Sequence, residues 1–257
     1  NIGKIGEVFG AIFSFAFGFR AVGGAAAGLA VKSAVTWGFK RGVFSNEAGL
    51  GSSVMVHSAS NVVEPVRQGM WGIFEVFADT IVVCTLTAFS ILSTGLIDLQ
   101  TGAMLSANEQ TALVSEAFGT VFNFGGVNVG GAFIAIAILL FAFSTVLGWS
   151  YYGTKAWEFL FGTKATIIYK VVFVVFIVFG ATMNLDLAWD ISDTFNGLMA
   201  IPNLIGVLTL SGTVIKITAN YTARTFNGCK EAPLLSAFED IQAEQERKLR
   251  SEQNKNS

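Results

Sequence analysis

Charge is what this chain has least of. Asp, Glu, Lys and Arg together make up 13% of its 257 residues, and hydrophobic residues make up 53%. An ordinary soluble domain carries roughly 25% charged residues, so that class is excluded. Histidine and cysteine are scarce as well: one His57, and two cysteines, Cys84 and Cys229. An intramembrane enzyme needs a nucleophile and base, or a set of metal ligands, within its spans, and these residues do not supply one. Cys84 falls in an apolar stretch and Cys229 beside a charged tail, so no structural disulfide is expected. There is no basic excess either. The net charge of −2 argues against nucleic acid as a partner. The first residue is Asn1, an apolar stretch begins within a few positions, and no basic start with a small-residue cleavage site precedes it. The expectation is a fragment whose upstream part, the N-terminal half of the same protein, is missing.

What is abundant is apolar length. Five segments stand out, at about 5–31, 67–95, 128–153, 165–184 and 194–217. A bilayer core about 30 Å thick takes about 20 apolar helical residues to cross. The runs are long and lack the alternation of a membrane barrel, so helices are expected. The intervals between them alternate in charge. Lys32, Lys40, Arg41 and Arg67 flank the first interval, and Lys155 and Lys164 lie in the third. The second holds Asp98, Glu109 and Glu116 and the fourth Asp186, Asp190 and Asp193, with no base in either. Arg224 and Lys230 follow the last span. Positive charge is kept on the cytoplasmic side, so the first span runs inward and the C-terminus is cytoplasmic. The expected division is a transmembrane domain over 1–228 and a charged tail over 229–257, a solvated helix or a disordered segment. Five spans starting outside would form the second, inverted half of a five-plus-five transporter if five others precede Asn1.

The first span is crowded with glycine: Gly18, Gly23, Gly24 and Gly28. Gly24 and Gly28 have the spacing of close helix packing. The other reading is an unwound segment between Gly18 and Gly24, whose freed backbone at Gly23 and Gly24 binds substrate or ion. Arg20, a mid-span charge, favours a cavity nearby unless it snorkels to the surface.

Four strings carry an identification. KRGVFSNEAGLGSS runs from Lys40 to Ser53 and PVRQG from Pro65 to Gly69; DTIVVCTLTAFSILSTG spans Asp79–Gly95 and FAFSTVLGWSYYG Phe141–Gly153. Together they resemble the alanine or glycine:cation symporter family, over nearly all of the chain up to the tail. The resemblance implies an all-α, leucine-transporter-like fold of which this chain is the second five-helix inverted repeat. It implies symport of alanine or glycine with Na⁺, or with H⁺, across the cell membrane. It further implies that Ser144 and Thr145 give hydroxyls to a sodium site, and that Thr145, Val146 and Trp149 touch the substrate.

Several residues keep two readings. Ser144 and Thr145 could merely bond the preceding turn, and Trp149 could be an interfacial belt residue instead of a pocket wall. Glu47 is either a gating group or half of a structural ion pair. His57 is expected to be solvated or to cap. Glu75 and Asp79 lie one turn apart on a membrane helix, with Arg67 two turns earlier. They form either a buried network or a proton-coupling carboxylate site. A channel would want polar rings or a re-entrant signature, and neither is visible. The functional expectation is a multi-pass carrier, with the bilayer and a small amino acid as partners, no cofactor beyond the coupling ion, and no enzymatic activity.

Overall fold

The computed structural model of the chain describes residues 1–17 and 24–255. Those residues fold mainly as helices, with one short hairpin, in two compact units, 1–45 with 78–177 and 46–77 with 178–257.

In the first unit α1 covers Ile5–Phe17 and α2 covers Gly24–Asn46. The expected helix break, with Arg20 and Gly23, lies outside the described residues. Helix α2 opens at Gly24 and continues through Lys32, Lys40 and Arg41, so most of the basic interval is helical and not loop. Lys40 and Arg41 lie over the Trp37 ring, 5.6 and 5.1 Å from its centroid.

The second apolar run forms a continuous 28-residue helix, Pro65–Leu92. It is built from α4 (Pro65–Phe77), a π-helical stretch Ala78–Val83, and α5 (Cys84–Leu92). Pro65 suits the first helical position, where a missing N–H costs nothing. The short helix α3, Val54–His57, precedes it.

The interval after α5 has structure of its own. Helix α6 spans Gln110–Val121 and leads into a two-stranded hairpin, β1 (Asn123–Phe124) and β2 (Val127–Asn128). Gly125 and Gly126 turn it with φ of 59° and 84°, the left-handed pair that tight hairpins require. Asn128 then caps α7, its side-chain oxygen accepting the Gly131 N–H at 2.7 Å.

Helix α7, Val129–Phe161, outruns the expected span by eight residues, because Lys155 and Glu158 pair along its flank at 3.0 Å and stay helical. Helix α8, Thr166–Thr182, folds back against it. Gly153 admits the Tyr169 hydroxyl so closely that any side chain there would collide with it.

In the second unit α9 runs 41 residues, Leu185–Thr225, capped by Asn184, and α10 covers Glu239–Lys255. Among the described residues four stretches are long and apolar enough to cross a membrane: 65–92, 129–161, 163–182 and 185–225. The fifth expected span, 5–31, falls partly outside them. At most 11% of any apolar window is buried within the chain, so these faces look outward.

Candidate functional site

Helix α7 presents the hydroxyl pair. Thr145 and Trp149, four residues apart, share a face of it. Ser144 Oγ donates to the Phe141 carbonyl at 2.8 Å. A hydroxyl that donates inward keeps its lone pairs for a cation, so this bond leaves the expected ligand role open. Thr145 is exposed, and Val146 and Trp149 are half-buried. Trp149 meets Tyr152 edge-on, with centroids 5.8 Å apart, which fixes the indole plane. Gly24 begins α2, and Gly23 lies outside the described residues, so the oxygens expected from that side are not on view.

The two carboxylates of the second span part company. Asp79 falls in the π-helical stretch and accepts the Ser45 hydroxyl at 2.7 Å. A π turn widens the helix and loosens its regular bonding, and such turns concentrate at functional sites. Glu75, one turn earlier, is met not by Arg67 but by His57, whose Nε2 lies 3.1 Å from its carboxylate. His57 Nδ1 lies 2.7 Å from the Gln68 amide nitrogen. The histidine thus joins α3 to two turns of α4, instead of standing solvated or capping. This pairing was not legible in advance, since loop geometry brings His57 beside a helix that starts eight residues later.

The connector after α2 is more ordered than a surface loop. Helix α2 ends at Asn46, and Glu47 takes a left-handed φ of 54°. That is uncommon for a residue with a side chain. Gly49 and Gly51 follow at 86° and 81°. Among the described residues the Glu47 carboxylate accepts the Ser52 hydroxyl at 2.6 Å. Leu50 and Ser52 are buried. Asn203 of α9 donates to the Gly49 carbonyl at 2.9 Å, and its side chain occupies the space a Cβ on Gly51 would need.

A second junction in the same unit went unread in the sequence. Arg224 grips Glu64 with both guanidinium nitrogens, at 2.9 and 3.0 Å, with both side chains largely buried. Arg224 Nε also donates to Asn220 Oδ1 at 2.8 Å. Asn220 in turn holds the chain beyond α9, accepting from Leu234 N at 2.9 Å and donating to Ala232 O at 3.0 Å. Gln242 of α10 accepts from the Leu235 and Ser236 N–H groups at 2.7 and 2.9 Å. The tail is therefore strapped to α9. Its signal was available, in that the charge alternation puts Glu64 and Arg224 on one side, but nothing in the sequence pairs them. A cavity of about 750 Å³ in this unit is walled by Val54, His57, Gln68, Gly72, Leu235 and Ile241. Among the described residues no group of three or more metal-type side chains converges.

Comparison with known proteins gives this geometry a context. Residues 1–234 match the sodium:alanine symporter family. The sodium/alanine symporter AgcS of Methanococcus maripaludis is 45% identical over 90% of this chain and 49% of its own length. The probable sodium/glutamine symporter GlnT of Bacillus subtilis is 38% identical over 86% and 44%. The sodium/proton-dependent alanine carrier protein of Bacillus sp. strain PS3 is 34% identical over 82% and 48%. The chain thus spans about half the length of the curated relatives it matches. No solved structure matches it.

Proposed function

The chain belongs to the sodium:alanine symporter family, and from that premise we propose that it forms the later half of a carrier that moves alanine or glycine together with Na⁺. The observation that carries this reading is the family match across 1–234, which takes in all four apolar helices and the hydroxyl pair of α7. Substrate and ion then fall to specific groups. Ser144 and Thr145 contribute uncharged oxygens to the ion. Thr145, Val146 and Trp149 shape a pocket for a small side chain, closed from the other side by the backbone around Gly23 and Gly24. A leucine-transporter-like arrangement of two inverted five-helix repeats accounts for the odd number of expected spans. The alternation of basic intervals sets the C-terminus in the cytoplasm.

A second reading concerns the coupling ion. Asp79, a carboxylate inside a membrane-length helix held by a lone described hydroxyl, is suited to exchanging a proton. The name of the PS3 relative, sodium/proton-dependent, favours keeping it. Uptake of labelled alanine by the full-length protein in proteoliposomes decides between them. Accumulation driven by an inward Na⁺ gradient at equal pH supports Na⁺ symport; accumulation driven by an acid-outside gradient without Na⁺ supports H⁺. No gradient-driven uptake of alanine or glycine under either condition would reject both.

A further inference from the structure

Asn220 and Gln242 both belong to the second unit, and each carries an amide with no hydrogen-bonding capacity left over. A side-chain amide offers two N–H donors and two acceptor lone pairs. Asn220, near the end of α9, accepts from the Leu234 N–H at 2.9 Å and from Arg224 Nε at 2.8 Å. It donates to the Ala232 carbonyl at 3.0 Å and the Glu231 carboxylate at 3.4 Å. Gln242, in the first turn of α10, accepts from the Leu235 and Ser236 N–H groups at 2.7 and 2.9 Å. Its nitrogen donates to the Pro233 carbonyl and to the Glu246 carboxylate, at 2.6 Å each. Residues 231–236 run between α9 and α10 with no helix or strand of their own. The two amides thus take the place of regular backbone pairing there.

What the amides hold in place is Leu235. It is 5% exposed, in a chain whose long helices turn their apolar faces outward. Leu235, Ile241 and Gln245 wall the cavity of about 750 Å³ on the side of the tail, and Val54, Val63 and Ile73 wall it from α3, the connector and α4. Ile241 and Gln245 are four positions apart, so α10 turns one face toward this space. The tail is therefore bonded to α9 and shares an apolar lining with α3 and α4. Parting α3 and α4 from α9 would uncover Leu235 and Val63, itself 6% exposed. The Glu64–Arg224 pair stands at the same junction, and Asn220 holds Arg224 Nε, so strap and ion pair tighten together. One buried leucine and a few side-chain-to-backbone bonds are of the same order as the entropy lost in ordering a short non-helical segment. A strap so balanced is seated, yet able to release.

We propose that residues 231–245 form an autoinhibitory strap, which when seated holds α3 and α4 against α9 and slows the motion that a carrier's cycle requires. Its plug, Leu235, and its anchor, Gln242, lie beyond the part of the chain matched to the family, 1–234. The seat of the strap stands on its own geometry; the motion it slows rests on the symporter reading above. The purified full-length protein tests the seat first. Gln242→Ala removes the anchor, Leu235→Asp the plug, and deletion of residues 235–257 both. Each is expected to speed amide exchange at Val54–His57 and in the first turns of α4 by about fivefold or more, with α7 unchanged. Equal exchange at Val54–His57 with and without the strap, or the same acceleration in α7, would overturn the proposal. Should Leu235→Asp fail to fold, Gln242→Ala decides alone, since it leaves every apolar side chain in place.

A second measurement tests the restraint on turnover. In proteoliposomes, Gln242→Ala and the deletion are expected to raise the initial rate of uptake, at saturating alanine and Na⁺ and per folded carrier, by about twofold or more. The alanine KM and the Na⁺ half-saturation should change less than about twofold, because the strap touches neither the hydroxyl pair nor Trp149 of α7. A rate that stays the same or falls would mean that the tail only stabilises the fold, and the proposal would be overturned. Absence of alanine or glycine uptake by the unaltered protein would instead reject the symporter reading, and amide exchange would still decide whether the strap holds α3 and α4.

Discussion

Thr145 is the residue on which ion and substrate meet in the proposed site, and its chemistry makes it a sharp probe. Valine keeps the branched shape and removes the oxygen, so packing is nearly conserved while one cation ligand is lost. In the full-length carrier Thr145→Val should raise the Na⁺ requirement for uptake by about tenfold, the scale of one lost charge-assisted contact of about 1.4 kcal/mol. Trp149→Ala removes a wall. It should admit larger neutral amino acids and weaken discrimination between alanine and leucine, measured as the ratio of their kcat/KM values. Unchanged Na⁺ dependence and selectivity in both variants would place the site on another helix. These side chains were legible in the sequence because a hydroxyl pair stands out in an apolar run, and because FAFSTVLGWSYYG has a family context. The partners of Glu47 and His57 were not. A left-handed residue and two positive-φ glycines redirect the chain after Asn46, and no periodicity encodes where such a turn delivers its side chains.

At the scale of elements, helices were legible and their ends were not. Four apolar runs appear where composition places them, yet α7 and α9 extend well past the bilayer requirement, because polar residues on their flanks pair or cap and do not break the helix. The connector was read as cytoplasmic because its charges lie at its start; it bonds α9 twice, Gly49 to Asn203 and Glu64 to Arg224. Its anchor is testable. Removing one partner of a buried bidentate pair strands the other charge, at a cost of roughly 3–5 kcal/mol. Glu64→Gln or Arg224→Ala should therefore lower the melting temperature of the purified full-length protein. Gln242→Ala, which frees the strap alone, should cost less and loosen α10 first, seen as faster amide exchange at Leu235 and Ser236. The interval before α6 offers a pH test. Hydrogen bonds from the Thr101 hydroxyl and the Gln100 amide hold the Asp98 carboxyl below its usual range. Its contribution is full above the unfolded value of about 4 and is lost as pH falls through the lower folded value. Protection of the Gln100 and Ala103 amides, corrected for intrinsic exchange, should therefore be constant from neutral pH to about 5 and fall in stronger acid. Protection that already falls between neutral pH and about 5 would show that another group holds this turn.

For the molecule as a whole, apolar surface is the dominant fact. Phe141, Phe143, Leu139 and Leu140 on α7 are each more than 60% exposed, and the windows of the other three long helices are not buried at all. Lipid can cover such faces, but it cannot supply the oxygens of an ion cage. Ser144 and Thr145 give two hydroxyls from one helix, whereas an alkali cation stripped of water needs several more oxygen ligands. In the five-plus-five reading those come from a discontinuous helix of the other repeat and from the glycine-rich segment facing it. Residues 1–257 expressed alone should therefore insert in membranes and bind neither alanine nor Na⁺ in equilibrium dialysis of the detergent-purified chain. Co-expression with the upstream half of the full-length protein as a separate chain should restore Na⁺-driven alanine uptake in vesicles, because a carrier split at a loop keeps every ligand it had when joined. Saturable alanine binding to residues 1–257 alone would mean that the whole site lies within this chain, and the inverted-repeat reading would then have to be abandoned.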